Sequence, residues 1–207
     1  MSVLAQILEH RIIAIVRGVQ PEAVLPLAEA MYAGGIRLLE VTMNSDDPLT
    51  VIRAVSAAMG DKMIIGAGTV LDAATARQAA SAGARFILSP ILEPDVIRTA
   101  RDLGVVSIPG AYTATEVYAA YKQGADMIKV FPATSPAYIK DIAAPLPKMH
   151  LLPTGGITPE NIGDFRKAGA AGFGVGSALV NAKAPVTPEY LRHLTATAQR
   201  FIQALHS

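Results

Sequence analysis

Lys129 stands in the run Asp126-Met127-Ile128-Lys129-Val130-Phe131-Pro132, an apolar stretch with the pattern of a buried strand. An ammonium is costly to desolvate, so burial there lowers its pKa and frees the amine as a nucleophile. An enzyme working through a Schiff base needs such an amine. A lysine snorkelling from a strand end to water or to an ion pair fits the same pattern. Glu40 has a similar setting, following Arg37-Leu38-Leu39 and bracketed by apolar side chains. Buried beside Lys129 it would carry protons, desolvation raising its pKa and the ammonium lowering it. A buried Glu–Lys ion pair is the structural alternative.

Polar residues recur at the ends of the other apolar runs. Arg17 closes the first and suits a carboxylate or a phosphate, or equally a salt bridge between subunits. Gly66-Ala67-Gly68-Thr69 lets the backbone approach a small ligand, with the Thr69 hydroxyl free for a carboxylate or carbonyl oxygen. Thr154-Gly155-Gly156 and Gly174-Val175-Gly176-Ser177 form a pair of loops suited to a phosphate through backbone N–H groups and a short helix N-terminus. Glycines that only permit close packing would give the same letters. Ser89-Pro90 and Pro109-Gly110 end two further runs, and Asn44-Ser45 follows Glu40-Val41-Thr42-Met43. Phe131 and Pro132 would wall Lys129 from water, or simply pack in the core.

These residues need a scaffold that brings strand ends together. Short apolar runs over Ile12–Val16, Arg37–Val41, Met63–Gly66, Arg85–Ser89, Val105–Pro109, Met127–Val130, His150–Pro153 and Gly172–Val175 predict eight strands. Helical patterns lie between them, among others over Pro21–Ala33, Pro48–Met59, Ala73–Ala82, Pro94–Leu103 and Thr113–Lys122. Gly34-Gly35, Gly83, Gly104, Gly124 and Gly169 close helices just before strands, where a left-handed cap is expected. The phrase itself repeats, as in Ser81-Ala82-Gly83-Ala84 and Lys167-Ala168-Gly169-Ala170. Eight such units predict an α/β fold of the (β/α)8 TIM-barrel type, with active-site residues at the C-terminal strand ends. An open doubly wound sheet is the alternative, unsupported by any Gly-x-Gly-x-x-Gly fingerprint with an acidic partner. Residues 2–10 read as an extra N-terminal helix covering the barrel bottom, and residues 1–207 as a single domain.

Composition narrows the partners. Lys+Arg 18 against Asp+Glu 17 leaves a net charge of +1, so neither nucleic acid nor a membrane surface is an expected partner. The chain has no cysteine, and its four histidines lack metal-ligand spacing, so no metal site is expected. No secretion signal and no run of roughly 18 apolar residues is present, which makes a cytoplasmic protein the expectation. The hydrophobic share of 51% leaves room for surface buried between subunits.

Taken in order, Gly-Gly-Ile-Arg-Leu-Leu-Glu-Val-Thr, Gly-Ala-Gly-Thr-Val, Ser-Pro, Ile-Pro-Gly, Ile-Lys-Val-Phe-Pro-Ala and Pro-Thr-Gly-Gly-Ile resemble the 2-dehydro-3-deoxy-phosphogluconate / 4-hydroxy-2-oxoglutarate aldolases. The similarity runs from about Ile12 to about Asn181. It implies a class I aldolase, a carbon–carbon lyase of carbohydrate metabolism (Entner-Doudoroff type), acting as a homotrimer without metal or cofactor. It implies Lys129 as the Schiff-base lysine and Glu40 as the general acid/base. Thr69 would meet the pyruvyl carboxylate, and Gly155, Gly156, Gly176 and Ser177 the distal phosphate. Arg17, Asn44, Pro90, Phe131 and Thr154 complete the expected substrate-binding set.

The expected substrates are the phosphorylated keto-deoxy sugar acid, cleaved to pyruvate and glyceraldehyde 3-phosphate, and 4-hydroxy-2-oxoglutarate. One departure splits the substrate markers. Where the phosphogluconate type commonly has Glu-Val-Thr-Leu-Arg-Thr, this chain has Asn44 and Ser45. Those two residues, with Ile15-Val16-Arg17-Gly18, are similar to the 2-dehydro-3-deoxy-6-phosphogalactonate aldolases, whereas Thr154 matches the phosphogluconate type. Arg17 is the expected replacement for the arginine missing at position 44. Two other readings use the same loops: a phosphate-binding isomerase, epimerase or synthase with Glu40 as base and no imine, and a non-catalytic sugar-phosphate-binding barrel.

Overall fold

A computed structural model describes residues 1–207. Its strands are β1 (Ile12–Val16), β2 (Leu38–Thr42), β3 (Ile64–Gly68), β4 (Phe86–Leu88), β5 (Val106–Ile108), β6 (Gly110–Ala111), β7 (Ile128–Val130), β8 (Leu151–Pro153) and β9 (Phe173–Val175). One parallel sheet has the order β5-β4-β3-β2-β1-β9, and a second the order β6-β7-β8. Only Pro109 separates β5 from β6, and a bridge between Thr154 and Gly174 sets the end of β8 against β9. The run expected over Val105–Pro109 holds β5, and β6 beyond Pro109 is a short strand not expected from the sequence. Pro109 has no N–H to give to a ladder, so pairing passes from the β4 side to the β7 side there. The result is a curled parallel sheet with helices outside it.

The helices are α1 (Val3–His10), α2 (Pro21–Ala33), α3 (Pro48–Met59), α4 (Ala73–Ser81), α5 (Pro94–Asp102), α6 (Ala114–Lys122), α7 (Pro136–Ala143), α8 (Ile162–Lys167) and α9 (Pro188–His206). Their starts follow from the residues placed there. Ser2, Asp72, Thr113, Ser135 and Thr187 each accept a first-turn N–H in the side chain, and proline opens α2, α3, α5, α7 and α9. Thr113, expected inside its helix, is instead the cap of α6, and Glu116 returns a bond to its N–H at 2.7 Å.

Gly35, Gly83, Gly104, Gly124 and Gly169 adopt the expected positive φ. Gly34 does not: its φ is −81°, and a Cβ there would lie 2.4 Å from the Cβ of Ala198. Its absence of side chain serves the close approach of α2 and α9.

Alternation along the strands sorts the side chains into two cores. Leu39 and Val41 of β2 face the helices and belong to the larger core, which spans Ile12 to Leu205. Leu38 faces the inside of the curl and packs with Ile13, Phe86, Leu88, Val106, Ile108, Met127 and Leu152. Ile7 of α1 joins this inner cluster with no exposed surface. Burying aliphatic and aromatic side chains of this size stabilises the fold by about 1.5–3 kcal/mol each. Gly66 leaves room for the Phe86 ring, since a Cβ there would lie 2.2 Å from it. Two residues after Leu38 and Met127, on the same inward row, come Glu40 and Lys129. No helix is long and apolar enough to cross a membrane.

Candidate active site

Glu40 is wholly buried, and neither of its carboxylate oxygens has a hydrogen-bond partner. The room it occupies is made by a glycine on the neighbouring strand. A Cβ on Gly68 would lie 1.6 Å from Glu40 Oε1 and 2.3 Å from its Cδ. The Gly66-Ala67-Gly68 phrase therefore has a packing reason that the sequence pattern does not give. Its first glycine admits a core ring and its second admits the carboxylate.

Lys129 is only 3% exposed, and its Nζ lies 5.0 Å from the centre of the Phe131 ring. It does not snorkel to solvent. The chain's four ion pairs, Arg98–Asp95, Lys167–Asp164, Arg192–Glu189 and Arg200–Glu160, are all on the surface. Glu40 and Lys129 are not paired, so more than 4.0 Å separates amine from carboxylate. The buried ion pair weighed from the sequence is not formed.

Their electrostatics follow from that separation. Burial pushes the Glu40 carboxyl above the usual carboxylate range, against weaker opposing pulls from Lys129 and Arg17. Burial also pushes the Lys129 ammonium down; Glu40 opposes the shift, and the Arg17 charge adds to it. Both groups are driven toward their neutral forms, COOH and NH2. A lysine whose amine is made easier to free, near a carboxyl made easier to protonate, is suited to attack on a carbonyl followed by proton delivery.

A cavity of about 460 Å3 opens at the strand ends; neither Lys129 nor Glu40 lines it, and Phe131, whose ring lies 5.0 Å from Lys129 Nζ, is the lining residue next to the pair. Seven residues expected from the sequence line it: Arg17, Phe131, Thr154, Gly155, Gly156, Gly176 and Ser177. Ile15, Ile157, Thr158 and Ala178 line it too, unmarked by any chemical signature in the sequence. Thr154 is buried, and Gly174 makes space for it: a Cβ there would sit 2.3 Å from the Thr154 hydroxyl oxygen. The N–H groups of Gly155, Gly156, Ser177 and Ala178 find no acceptor within the chain, leaving a row of donors along one wall. Asn161 fixes that loop, accepting from Thr158 N–H and donating to Gly156 carbonyl, both at 2.8 Å. After β9 the expected helix N-terminus is only a single turn, closed by Leu179 and Val180 N–H onto Gly176 carbonyl at 2.9 and 3.0 Å.

Three expected residues stand apart from this lining. Thr69 adjoins it through Arg17, whose Nη2 donates to the Thr69 hydroxyl at 3.5 Å. Its φ of 58° is unusual for a β-branched residue, a strain of about 1–3 kcal/mol. Pro90 is half-buried against Gly110, where a Cβ would meet its carbonyl group at 2.3 Å. Asn44 is exposed in the turn after β2. Its neighbour Ser45 is the residue engaged there. The Ser45 hydroxyl accepts from Gly18 N–H at 3.0 Å and shares a 2.9 Å bond with the Thr42 hydroxyl. It thereby ties the loop carrying Arg17 to the end of β2, a link between residues 27 apart that local sequence pattern does not disclose. No cluster of three or more metal-ligating side chains is present.

The family model for KDPG and KHG aldolase matches residues 3–194. A 2-dehydro-3-deoxy-6-phosphogalactonate aldolase of Escherichia coli (strain K12) is 39% identical over 174 residues, covering 83% of this chain and 85% of the relative. A 2-dehydro-3-deoxy-phosphogluconate aldolase of Pseudomonas aeruginosa is 37% identical over 160 residues, covering 76% and 72%. Among solved structures, the KDPG aldolase from Legionella pneumophila, with pyruvate captured as a covalent carbinolamine intermediate, superposes with a TM-score of 0.83. It is 27% identical and covers 96% of this chain and 97% of its own. The chain belongs to the KDPG and KHG aldolase family.

Proposed function

We propose that the chain is a class I aldolase that reversibly cleaves 2-dehydro-3-deoxy-6-phosphogluconate to pyruvate and glyceraldehyde 3-phosphate. The observation that carries this reading is the unpaired, buried Lys129–Glu40 couple, with Lys129 set against Phe131 in the wall of a cavity rich in N–H donors. The Lys129 amine attacks the C2 carbonyl carbon, and the carbinolamine hydroxyl leaves as water with a proton from the Glu40 carboxyl, giving a protonated imine and the Glu40 carboxylate. That imine draws the C3–C4 bonding electrons when Glu40 takes the C4 hydroxyl proton. The aldehyde leaves, and the resulting enamine takes a proton at C3 from Glu40. Hydrolysis then releases pyruvate and restores the amine. Each proton that Glu40 accepts it gives back, so one carboxyl serves successive steps.

Arg17 and Thr69 hold the pyruvyl carboxylate in this scheme, with Arg17 taking the place of the arginine absent at position 44. Gly155, Gly156, Gly176 and Ser177 receive the distal phosphate through their N–H groups and the Ser177 hydroxyl. The curled sheet is read as a complete (β/α)8 barrel floored by α1. A homotrimer in the cytoplasm is the inferred assembly, with Leu71, Ile91 and Tyr112 as exposed apolar residues available for contacts.

A second substrate is favoured by the Asn44-Ser45 pair, similar to that of the 2-dehydro-3-deoxy-6-phosphogalactonate aldolases, with Ser45 bonded to Gly18 and Thr42 at the end of β2. On this reading the 6-phosphogalactonate epimer is the better substrate. Pyruvate release from both epimers and from 4-hydroxy-2-oxoglutarate, coupled to lactate dehydrogenase, tests the proposal. Release from either epimer supports it, and a strong preference assigns the substrate. No release from any of the three overturns it.

A further inference from the structure

The cavity does not end at Ser177. A second hollow of about 370 Å3 shares Ile15, Arg17, Gly176 and Ser177 with it and continues over the rim to Asn181 and Lys183. Arg17 and Lys183 therefore flank one continuous space, with the Ser177 turn between them. Neither cation has a carboxylate within 4.0 Å, and no acidic residue lines either hollow. Two uncompensated positive charges bordering one recess raise its potential, which favours a ligand carrying an anionic group toward each of them.

The backbone carrying Lys183 is also fixed. Lys183 N–H donates to the Asn181 side-chain carbonyl at 3.0 Å, and Ala184 N–H to the Asn181 backbone carbonyl at 3.1 Å. Asn181 N–H in turn donates at 2.8 Å to the hydroxyl of Tyr190 on α9. A lysine on a freely moving surface loop would have none of this anchoring.

We propose that Lys183 is a cationic contact for the substrate's terminal phosphate, as Arg17 is for its carboxylate, so that the phosphate subsite spans from the glycine wall of β8 and β9 out to position 183. Lys183 then discriminates phosphorylated from non-phosphorylated keto acids, because it meets only the group that the latter lack. The identity of the sugar acid rests on the aldolase reading; the anion subsite does not.

Inorganic phosphate is the probe, its affinity for the intact protein measured by titration calorimetry at low ionic strength. Lys183→Met should weaken phosphate binding roughly three- to fivefold, the scale of a partly exposed charge contact. Lys183→Arg should hold close to the parent affinity, and Lys140→Met, on the outer helix α7, should leave it unchanged. With turnover, Lys183→Met should shrink the ratio of kcat/KM for the phosphorylated sugar acid over 4-hydroxy-2-oxoglutarate by a similar factor. Parent-like phosphate affinity in Lys183→Met, or an equal loss in Lys140→Met, overturns the subsite. Absence of pyruvate release in the parent protein would instead remove the aldolase reading, and the phosphate titration would still decide on Lys183.

Discussion

Gly68→Ala inserts one methyl group into the space that the Glu40 carboxylate fills. At 1.6 Å from Oε1 and 2.3 Å from Cδ, the new Cβ and the carboxylate cannot coexist. The backbone at Gly68 is not in the left-handed region, so alanine itself is conformationally acceptable there. The whole effect then falls on Glu40, which has no hydrogen bond to hold it and must swing away. Overpacking of this kind costs about 1–3 kcal/mol, offset in part by the roughly 0.4–1 kcal/mol that Gly→Ala gains from the unfolded chain. Displacing the proton carrier should lower kcat by roughly 10²–10⁴.

Urea unfolding and the lactate dehydrogenase couple measure the two effects. Gly104→Ala is the control: its φ of +68° strains an alanine by about 1–2 kcal/mol, but no atom lies within 4 Å of the added Cβ. That variant should lose stability and keep its kcat. In an Glu40→Ala background the stability cost of Gly68→Ala should largely vanish, a coupling read from the double-mutant cycle. Gly68→Ala with parent kcat and parent stability would refute the placing of Glu40 against Gly68.

Further outcomes can be stated more briefly. Glu40→Gln keeps the shape and removes the proton-carrying function, so turnover should fall by roughly 10²–10⁴ in the coupled assay. Near-parent turnover would reduce Glu40 to packing. Arg17→Ala should weaken pyruvate binding roughly ten- to a hundredfold, the scale of a charge-assisted bond, in an equilibrium titration. Lys129→Met should stabilise the fold at neutral pH, because the buried amine binds its proton less readily than the unfolded chain's lysine at 10.5. Below that value the unfolded state holds the extra proton, so parent stability rises with pH, and the advantage of Lys129→Met in thermal melts should narrow toward pH 10. A constant advantage across that range would show that the Lys129 pKa is not depressed.

The strands and their order of chemistry were legible in the sequence because burial on both faces leaves continuous apolar runs, in which Glu40 and Lys129 stand out as ionisable residues. Glycines with positive φ likewise marked helix ends ahead of strands, and family phrases marked the glycine loops. What escaped were effects acting between distant segments. Ser45 reaches Gly18, Asn161 braces Gly156 and Thr158, and Gly34 admits Ala198; none of these has a local pattern. The run over Val105–Pro109 was rightly ended at Pro109, but the two-residue strand β6 beyond it is too short to leave a pattern. The room that Gly68 leaves for the Glu40 carboxylate was not seen either: in register Gly68 pairs with Thr42, and only the side-chain packing brings Glu40 against it.

Borohydride reduction in the presence of pyruvate, followed by peptide mapping, tests the nucleophile most directly. A stable adduct confined to the peptide containing Lys129, and lost in Lys129→Met, is the expected result. An adduct on another lysine, or none under conditions where the protein releases pyruvate, would contradict the assignment of Lys129 as the Schiff-base residue.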